Sequence, residues 1–307
     1  MENFFILYIL ICIYLVYEVK NPNAHFHSSF VIHFTFNAFF DLLSTVCVLV
    51  FRRLPQWELA TEYFLTHQSA AKAYKVLFFQ SMAITICGNI IMASNRFFAL
   101  YNPLNYKRIW NVKISFIIII FQVLICYASY IHILCAKTVF KYDNQSQSYN
   151  FSTPDKTLSL TNNGVLLFFC IFGIIMLSVM NFLISLKFKH IFNKDDHNKY
   201  GSQITMLIFM CLTTLFLIIT SVQLVVRSIA IDTNNTFMKY TMNNYFFYSI
   251  PILNTLQPYL ILILSHQLRK DVLKFLCSIP HKKICTSNGD KVKAISLNDH
   301  NNNVMRK

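Results

Sequence analysis

Long apolar runs separated by short polar segments are the main pattern of this chain. A helix needs ~20 mostly apolar residues to cross a bilayer, and seven runs reach or approach that length. The predicted spans are about 4–19, 29–51, 75–99, 113–135, 164–187, 203–226 and 244–265. The first run lacks both a basic start and a signal-peptide cleavage site, so we interpret it as a short first helix. The pattern predicts an all-α membrane protein, a seven-transmembrane helix bundle.

A second pattern follows the last span, where apolar residues recur at helical spacing and basic residues fill the opposite face. The apolar positions are Leu268, Val272, Phe275 and Leu276, and the basic ones are Arg269, Lys270 and Lys274. We predict a short amphipathic helix over 266–277 that ends the seven-helix domain of residues 1–277, followed by a disordered cytoplasmic tail at 278–307. Cys277 and Cys285 are candidate palmitoylation sites, and unmodified thiols fit the sequence equally well.

The composition agrees with a membrane protein and excludes several classes. Apolar residues make up 55% of the chain and charged residues 13%, about half the ~25% of soluble domains. The net charge of +14 comes from basic residues beside apolar runs and in the tail, which favours contact with anionic lipid over nucleic acid. We find no phosphate-binding glycine loop, metal-ligand spacing or catalytic set, and therefore predict neither an enzyme nor a cofactor nor a metal site.

The sequons decide the predicted orientation. Lys and Arg divide evenly between the two sides once the tail is left out, so the positive-inside rule is weak here. Asn144, Asn150 and Asn234 begin N-x-S/T sequons, all in the fourth–fifth and sixth–seventh connections. Because such sites are glycosylated on the lumenal side, we expect these connections and the N-terminus outside the cell.

The second span carries a polar stripe. His33, Asn37, Asp41 and Ser44 follow each other at helical spacing, and Asp41 is the only acid in the middle of a span. Lipid cannot satisfy these groups, so we expect the stripe to face the other helices.

The end of the third span carries the most informative motif. Asn95-Arg96-Phe97 is followed by Pro103-Leu104 and by Tyr106. In this register the segment resembles the end of the third helix of rhodopsin-like G-protein-coupled receptors. A snorkelling Arg and a helix-stopping Pro explain Arg96 and Pro103 separately, but not the common spacing. The resemblance implies that Asn95, Arg96, Phe97, Pro103 and Tyr106 form the G-protein coupling site.

The same resemblance extends to the polar stripe. Asp41-Leu42-Leu43 resembles the buried Asp-Leu-Leu of rhodopsin-like second helices, which lies in a sodium-binding cluster. Thr85 has the place of a hydroxyl in that cluster, and Asn254 or Gln257 can complete it from the seventh span. An interhelical hydrogen-bond cluster without an ion is an equally good interpretation.

Longer stretches resemble the nematode serpentine chemoreceptors of the class gamma superfamily, although they do not separate class gamma from its sister classes. The stretches are Asn95–Trp110, Arg53-Leu54-Pro55-Gln56, Pro258-Tyr259 and Ser265–Lys270. The resemblance implies a sensory receptor in the plasma membrane, a candidate for the cilium of a chemosensory neuron, whose partners are a heterotrimeric G protein, a small molecule and membrane lipid. Rhodopsin-like features are missing, since the sixth span has no Pro or Trp and the usual outer disulfide lacks its cysteines.

We predict the ligand site from the outer ends of the third, sixth and seventh spans. No acid lies there to bind an amine, whereas aromatic residues are frequent. The predicted residues are Lys75, Phe78, Phe79, Met82, Gln223, Tyr245 and Tyr248, and such a pocket suits an uncharged or weakly acidic apolar molecule. These aromatics are equally suited to helix packing. The alternatives to a chemoreceptor are a small transporter or channel and a receptor-like protein that does not signal.

Overall fold

Helices dominate the structure, a computed structural model that describes residues 2–19, 27–143, 148–191, 200–264 and 268–275. The elements are, in order, α1 (Glu2–Glu18), α2 (Ser28–Val48), a π-helical turn (Leu49–Arg53), α3 (Leu54–Gln56), α4 (Thr61–Thr66), α5 (Ser69–Tyr101), α6 (Pro103–Ile109), α7 (Val112–Ser129), a 3₁₀ turn (Ile131–Cys135), β1 (Val139–Asp143), β2 (Ser148–Ser152), α8 (Lys156–Ile191), α9 (Tyr200–Asp232) and α10 (Thr236–Leu264). Seven of the described helices have 17 or more residues, and each overlaps one predicted span.

Five of the described helices are long and apolar enough to cross a membrane. They cover Ser28–Gln56, Ser69–Tyr101, Val112–Ser129, Lys156–Lys187 and Leu207–Asp232. Ile6–Glu18 of α1 is a shorter apolar helix. Exposed Ile117, Phe121 and Leu124 on α7 are typical of a surface that contacts lipid tails.

Helix α5 lies at the centre of the bundle. In its most apolar window 78% of the residues are buried, against 17% in α7. The buried side chains run almost without interruption from Tyr74 to Asn95 and include both apolar and polar groups. A helix that is buried on all faces contacts several neighbours at once, so α5 can connect events at its two ends.

The connection before α8 differs from the purely helical prediction. Strands β1 and β2 pair antiparallel in it, with Phe140 opposite Phe151 and Tyr142 opposite Tyr149. The aromatic side chains explain the position of this hairpin, because Phe151 packs on Phe140 and on Phe64 of α4 with ring centroids 4.7 and 5.3 Å apart. These contacts hold the segment without a disulfide, since the described cysteines are free thiols.

Three helices extend well beyond their predicted spans. Helix α8 begins at Lys156, and α9 and α10 leave only a short turn around Asn234 between them. Backbone hydrogen bonding continues past the edge of the hydrocarbon layer, whereas the apolar pattern stops there. The structure therefore has helical walls where the sequence predicted loops.

A separate unit begins at Ser265. Residues 268–275 form a helix in which Leu268 and Val272 are buried and Arg269 and Lys270 are exposed. Leu276, the candidate palmitoylation sites Cys277 and Cys285, and the predicted tail lie outside the described residues.

Candidate functional site

Three groups of side chains that include polar residues lie at successive levels of α5. Lys75, Thr85 and Asn95 follow one another at intervals of ten residues, which corresponds to about 15 Å per interval along a helix. Lys75 lies at the hairpin end of the bundle, Thr85 midway, and Asn95 at the opposite end. Each residue belongs to a different group of side chains.

The middle group, the Asp41 cluster, consists of Asp41, Tyr8, Thr85, Thr45 and Asn254. Thr85 donates a hydrogen bond of 2.6 Å to Asp41 Oδ1, and Tyr8 donates one of 2.6 Å to Oδ2. All five side chains are buried. The carboxylate therefore has a hydroxyl partner for each oxygen and links α1, α2 and α5.

Asn254 connects α10 to the same cluster. Its Nδ2 donates to the Asp41 backbone oxygen at 3.3 Å and to Thr45 Oγ1 at 3.4 Å, and Thr45 itself donates to that backbone oxygen at 2.8 Å. Pro258 has no N–H to donate to the Asn254 carbonyl, so α10 lacks one backbone hydrogen bond at this level. The cluster thus holds α10 close to a weak point of that helix.

The Asp41 cluster has few free oxygens for the sodium ion that the resemblance implies, since among its described side chains only Asn254 Oδ1 has no hydrogen-bond partner. Both carboxylate oxygens accept short hydrogen bonds from hydroxyl groups, and two further donors occupy the Asp41 backbone oxygen. A cation needs several free oxygen ligands. The described geometry suits a hydrogen-bond cluster between helices.

The other predicted members of the cluster lie apart from it. His33 is buried against Trp110 with ring centroids 5.6 Å apart. Asn37 accepts a hydrogen bond of 3.4 Å from Gln122 and packs so tightly on Gly88 that a Cβ there would overlap the Asn37 amide. The Gln257 side chain lies outside the described ones. The stripe is therefore buried as expected, but its residues have three different sets of partners.

The group at the far end of α5, the Arg96 cluster, includes a hydrogen-bond chain. Tyr106 on α6 donates 2.9 Å to Asn95 Oδ1, and Asn95 Nδ2 donates 3.0 Å to Ser29 at the start of α2. Ser115 of α7 also donates to Ser29, at 2.8 Å. Burial raises the pKa of Tyr106, against the opposing effects of Asn95 and Arg96, so its hydroxyl stays a donor at neutral pH. The chain joins four helices at this end.

Arg96 contacts aromatic rings instead of an acid. Its guanidinium carbon lies 4.9 Å from the ring centre of Phe30 on α2 and 5.2 Å from that of Phe209 on α9. Arg96 has no ion-pair partner within the described part of the chain. Cation–π contacts are worth ~0.5–2 kcal/mol, so these rings hold Arg96 more weakly than a buried ion pair would.

Phe97 and Pro103 shape the backbone beside this cluster. Phe97 is buried and stacks on Tyr101 with centroids 5.1 Å apart. Pro103 occupies the first turn of α6, where its missing N–H costs no helical bond. The break between α5 and α6 at Asn102 turns the chain so that Tyr106 reaches Asn95.

The third group surrounds a cavity of 260 Å³ at the hairpin end. We call it the hairpin cavity, because residues of β1 and β2 form one wall, while residues of the π-helical turn, α5, α8, α9 and α10 form most of the rest. Aromatic rings of Tyr74, Phe78, Phe79 and Phe247 line one part. Cationic side chains of Arg52, Lys75, Lys141, Arg227 and Lys239 line another.

Arg52 enters the cavity because of the π-helical turn Leu49–Arg53. This wider turn leaves Arg52 buried, while its neighbour Arg53 is only half-buried. Arg52 donates to Asn150 and, at 2.9 Å, to Asn244, and lies 5.0 Å from the Phe247 ring centre. Its partners include an aromatic ring and two neutral amides.

The predicted ligand residues divide into two sets. Lys75, Phe78 and Phe79 line the hairpin cavity. Met82 is buried one turn deeper and is not part of the wall. The second set, which does not line the cavity, also includes Gln223, Tyr245 and Tyr248.

Gln223, Tyr245 and Tyr248 do not line the cavity. Gln223 accepts a hydrogen bond of 2.8 Å from Ser249. Tyr245 and Tyr248 are exposed, since the rotation of α10 turns Phe247 inward in their place. The sequence could not show this rotation because all faces of this segment are aromatic.

The sequence pattern does not indicate four of the site residues, Tyr8, Ser29, Arg52 and Arg227. Tyr8 is a single polar group in an apolar helix, and Ser29 precedes a span; both signals are too common to single a residue out. The two arginines were counted as charges that flank spans. Buried or half-buried arginines at the same end of two long helices would have been the clue.

The sequons differ in accessibility. Asn234 is exposed in the α9–α10 turn with a left-handed φ of 52°. Asn150 is half-buried in β2, where it accepts the Arg52 hydrogen bond and lines the cavity. Asn144 lies outside the described residues. Asn234 thus offers the most open acceptor of the two described sequons.

A family model described as serpentine type 7TM GPCR chemoreceptor Srv matches residues 3–277. No curated protein matches the chain. The match covers α1 through the helix at 268–275, so all three groups of sites lie within it. It confirms the predicted resemblance to serpentine chemoreceptors and the seven-helix membrane class, and the class that it names is Srv.

Proposed function

Because this chain belongs to the Srv family of serpentine type 7TM GPCR chemoreceptors, we propose that it detects a small molecule in the hairpin cavity and signals to a heterotrimeric G protein from the Arg96 cluster. Its chemoreceptor role and its place as a multi-pass membrane protein follow from the family, which is not an enzyme class. The arrangement of these two sites at opposite ends of α5 carries the proposal.

We place the hairpin cavity outside the cell. Asn150 and Asn234 lie at the hairpin end of the bundle, where glycosylation requires the lumenal side. The opposite end, with Arg96 and Lys187, then lies in the cytoplasm. This orientation puts the N-terminus outside, in the plasma membrane, which is where a receptor for external chemicals has to act.

The Arg96 cluster holds the inactive state in this proposal. The Tyr106–Asn95–Ser29 chain fixes α6 and α2 on α5, and Arg96 lies between Phe30 and Phe209. Displacement of α9 would remove Phe209 and free Arg96 for the G protein. Ligand binding shifts this equilibrium only through different contacts in the two states.

The Asp41 cluster connects the two ends. It lies midway along α5 and joins α1, α2 and α10 to it through Tyr8, Asp41 and Asn254. A ligand that moves α10 at the hairpin cavity acts on this cluster through Asn254. The missing backbone bond at Pro258 lowers the cost of that movement.

The test requires no ligand. Tyr106→Phe removes the donor to Asn95 and should raise basal nucleotide exchange on a G protein by roughly 2- to 10-fold, the equivalent of one hydrogen bond. Tyr101→Phe is the matched control, since Tyr101 lies at the same end and keeps its stacking ring. Unchanged exchange in Tyr106→Phe with every G-protein class would contradict the proposed coupling site.

A further inference from the structure

Five cationic side chains line the hairpin cavity, and none of its described lining residues is acidic. From this charge and from the aromatic wall we infer that the cavity binds a small organic anion. The inference deepens the proposed function, because it rests on this cavity being the ligand site. It narrows the uncharged or weakly acidic ligand expected from the sequence to the ionised form of a weak acid.

The cations are of two kinds. Lys141 and Lys239 are exposed, so their ammonium groups reach water and cost little. Arg52 and Lys75 are only 7% and 8% exposed. Neither is a snorkelling surface charge, and the position of Lys75, which has no ion pair with a described residue, needs a different explanation.

Two of the cations have unused hydrogen-bond donors. The Lys75 ammonium has no hydrogen bond or ion pair with any described residue, and Nη1 of Arg227 is buried without a hydrogen-bond partner. Arg227 rests on the Phe246 ring at 5.2 Å. Both residues line the cavity and have N–H groups that no described residue accepts.

One described acid at the same end of the bundle, Asp232, is already paired outside the cavity. Asp232 lies 3.1 Å from Lys156, and both side chains are substantially exposed. Neither residue lines the cavity. Among the described residues, Lys75 and Arg227 therefore have no ion pair with a carboxylate.

Like charges at short range in a poorly hydrated site repel, and an unpaired buried charge is strongly unfavourable. An anion bound between them removes both penalties. Partial hydration of the cations lets the empty site fold. Binding of an anion then lowers the free energy substantially. This is the electrostatic design of an anion receptor site.

The rest of the wall restricts the size and nature of the anion. The rings of Tyr74, Phe78, Phe79 and Phe247 suit an apolar body. The 260 Å³ volume lies just below the ~300–1,000 Å³ of sites for drug-sized ligands. A compact aromatic or alkyl acid fits both properties.

The test compares three probes that differ only in charge. The purified chain, in nanodiscs of phosphatidylcholine, is titrated with 3-phenylpropionate, 3-phenylpropanamide and 3-phenylpropylamine. The carboxylate should bind at least ~10-fold more tightly than either other probe, as expected for hydrogen bonds to charged groups. Equal affinity, tighter binding of the amine or amide, or no binding of any probe overturns the inference.

Variants locate the site. Lys75→Met and Arg227→Gln should each abolish the preference for the carboxylate, while Lys137→Gln, an exposed charge at the same end that does not line the cavity, should keep it. Removal of a repelled cation should raise the ligand-free melting temperature of Lys75→Met, which excludes misfolding as the cause of lost binding. A preference that survives in both variants, or that phosphatidylserine in the nanodisc abolishes, overturns the assignment to a diffusible anion in this cavity.

The outcome is independent of the signalling proposal. The Tyr106→Phe assay uses no ligand, and the binding assay uses no G protein. A chain that binds the carboxylate but activates no G protein would leave the anion site intact and remove the coupling proposal. The reverse result would leave the coupling proposal intact.

Discussion

Thr85 donates a 2.6 Å hydrogen bond to the carboxylate of Asp41 in the middle of the bundle. The two residues lie on α5 and α2, and both are buried. Tyr8 occupies the second carboxylate oxygen, also at 2.6 Å. A buried carboxylate with one hydroxyl donor on each oxygen is well satisfied, and it makes the packing of three helices depend on one side chain.

Asp41→Asn should therefore destabilise the bundle. An amide offers one neutral acceptor oxygen in place of two carboxylate oxygens, so one of the hydroxyls of Tyr8 and Thr85 loses its acceptor and faces an N–H donor instead. We expect a loss of about 1–3 kcal/mol, seen as a lower melting temperature of the detergent-solubilised protein. Asp232→Asn, which removes only an exposed ion pair, should change the melting temperature very little. Equal melting temperatures for Asp41→Asn and the unaltered chain would contradict the burial of this carboxylate.

Gly88→Ala should disturb the contact between α2 and α5. A Cβ at Gly88 would lie within 2.1 Å of Asn37 Oδ1, so the Asn37 side chain has to move and the Gln122 bond to it is lost. Overpacking of this kind costs about 1–3 kcal/mol. Gly164→Ala is the matched control, because nothing lies within 4 Å of its Cβ position. The yield of folded protein in size-exclusion chromatography measures both, and equal yields would show that the close approach is absent.

Asn234 should carry a glycan in microsomes. It is exposed in the α9–α10 turn, at the end of the bundle that we place outside. Asn234→Gln should remove one glycan and so increase the gel mobility of the translated chain. Asn150→Gln should change the mobility less, because Asn150 is half-buried against Arg52. A glycan on a sequon introduced beside Lys187, together with an unmodified Asn234, would show the opposite orientation.

Polar residues at helical spacing within apolar spans allow part of the site to be predicted from the sequence. Asp41 stands out because polar residues inside apolar spans have few alternatives to contact with another helix, whereas Thr85 and Asn95 stand out only through the resemblance to rhodopsin-like receptors. Their partners Tyr8, Ser29 and Tyr106 depend on how the helices are rotated against each other. Of these only Tyr106 belonged to a motif, and the sequence could not show that it bonds to Asn95.

The hairpin cavity shows the other limit of sequence reasoning. Lys75, Phe78 and Phe79 were expected there, but Arg52 and Arg227 were not, since a π-helical turn and an extension of α9 bring them in. The β1–β2 hairpin depends on aromatic contacts such as Phe64 with Phe151 between distant parts of the chain. Local pattern carries no information on such contacts.

The most direct test of the central claim is G-protein nucleotide exchange by Arg96→Ala in a Tyr106→Phe background. Purified receptor in nanodiscs is mixed with one heterotrimeric G protein of each class, and labelled GTP-analogue uptake is followed without ligand. The account predicts that Tyr106→Phe raises exchange, that adding Arg96→Ala returns it to the level of empty nanodiscs, and that adding Arg108→Ala, an exposed arginine at the same end, leaves it raised. Exchange that stays raised in the Arg96→Ala double variant would contradict the account.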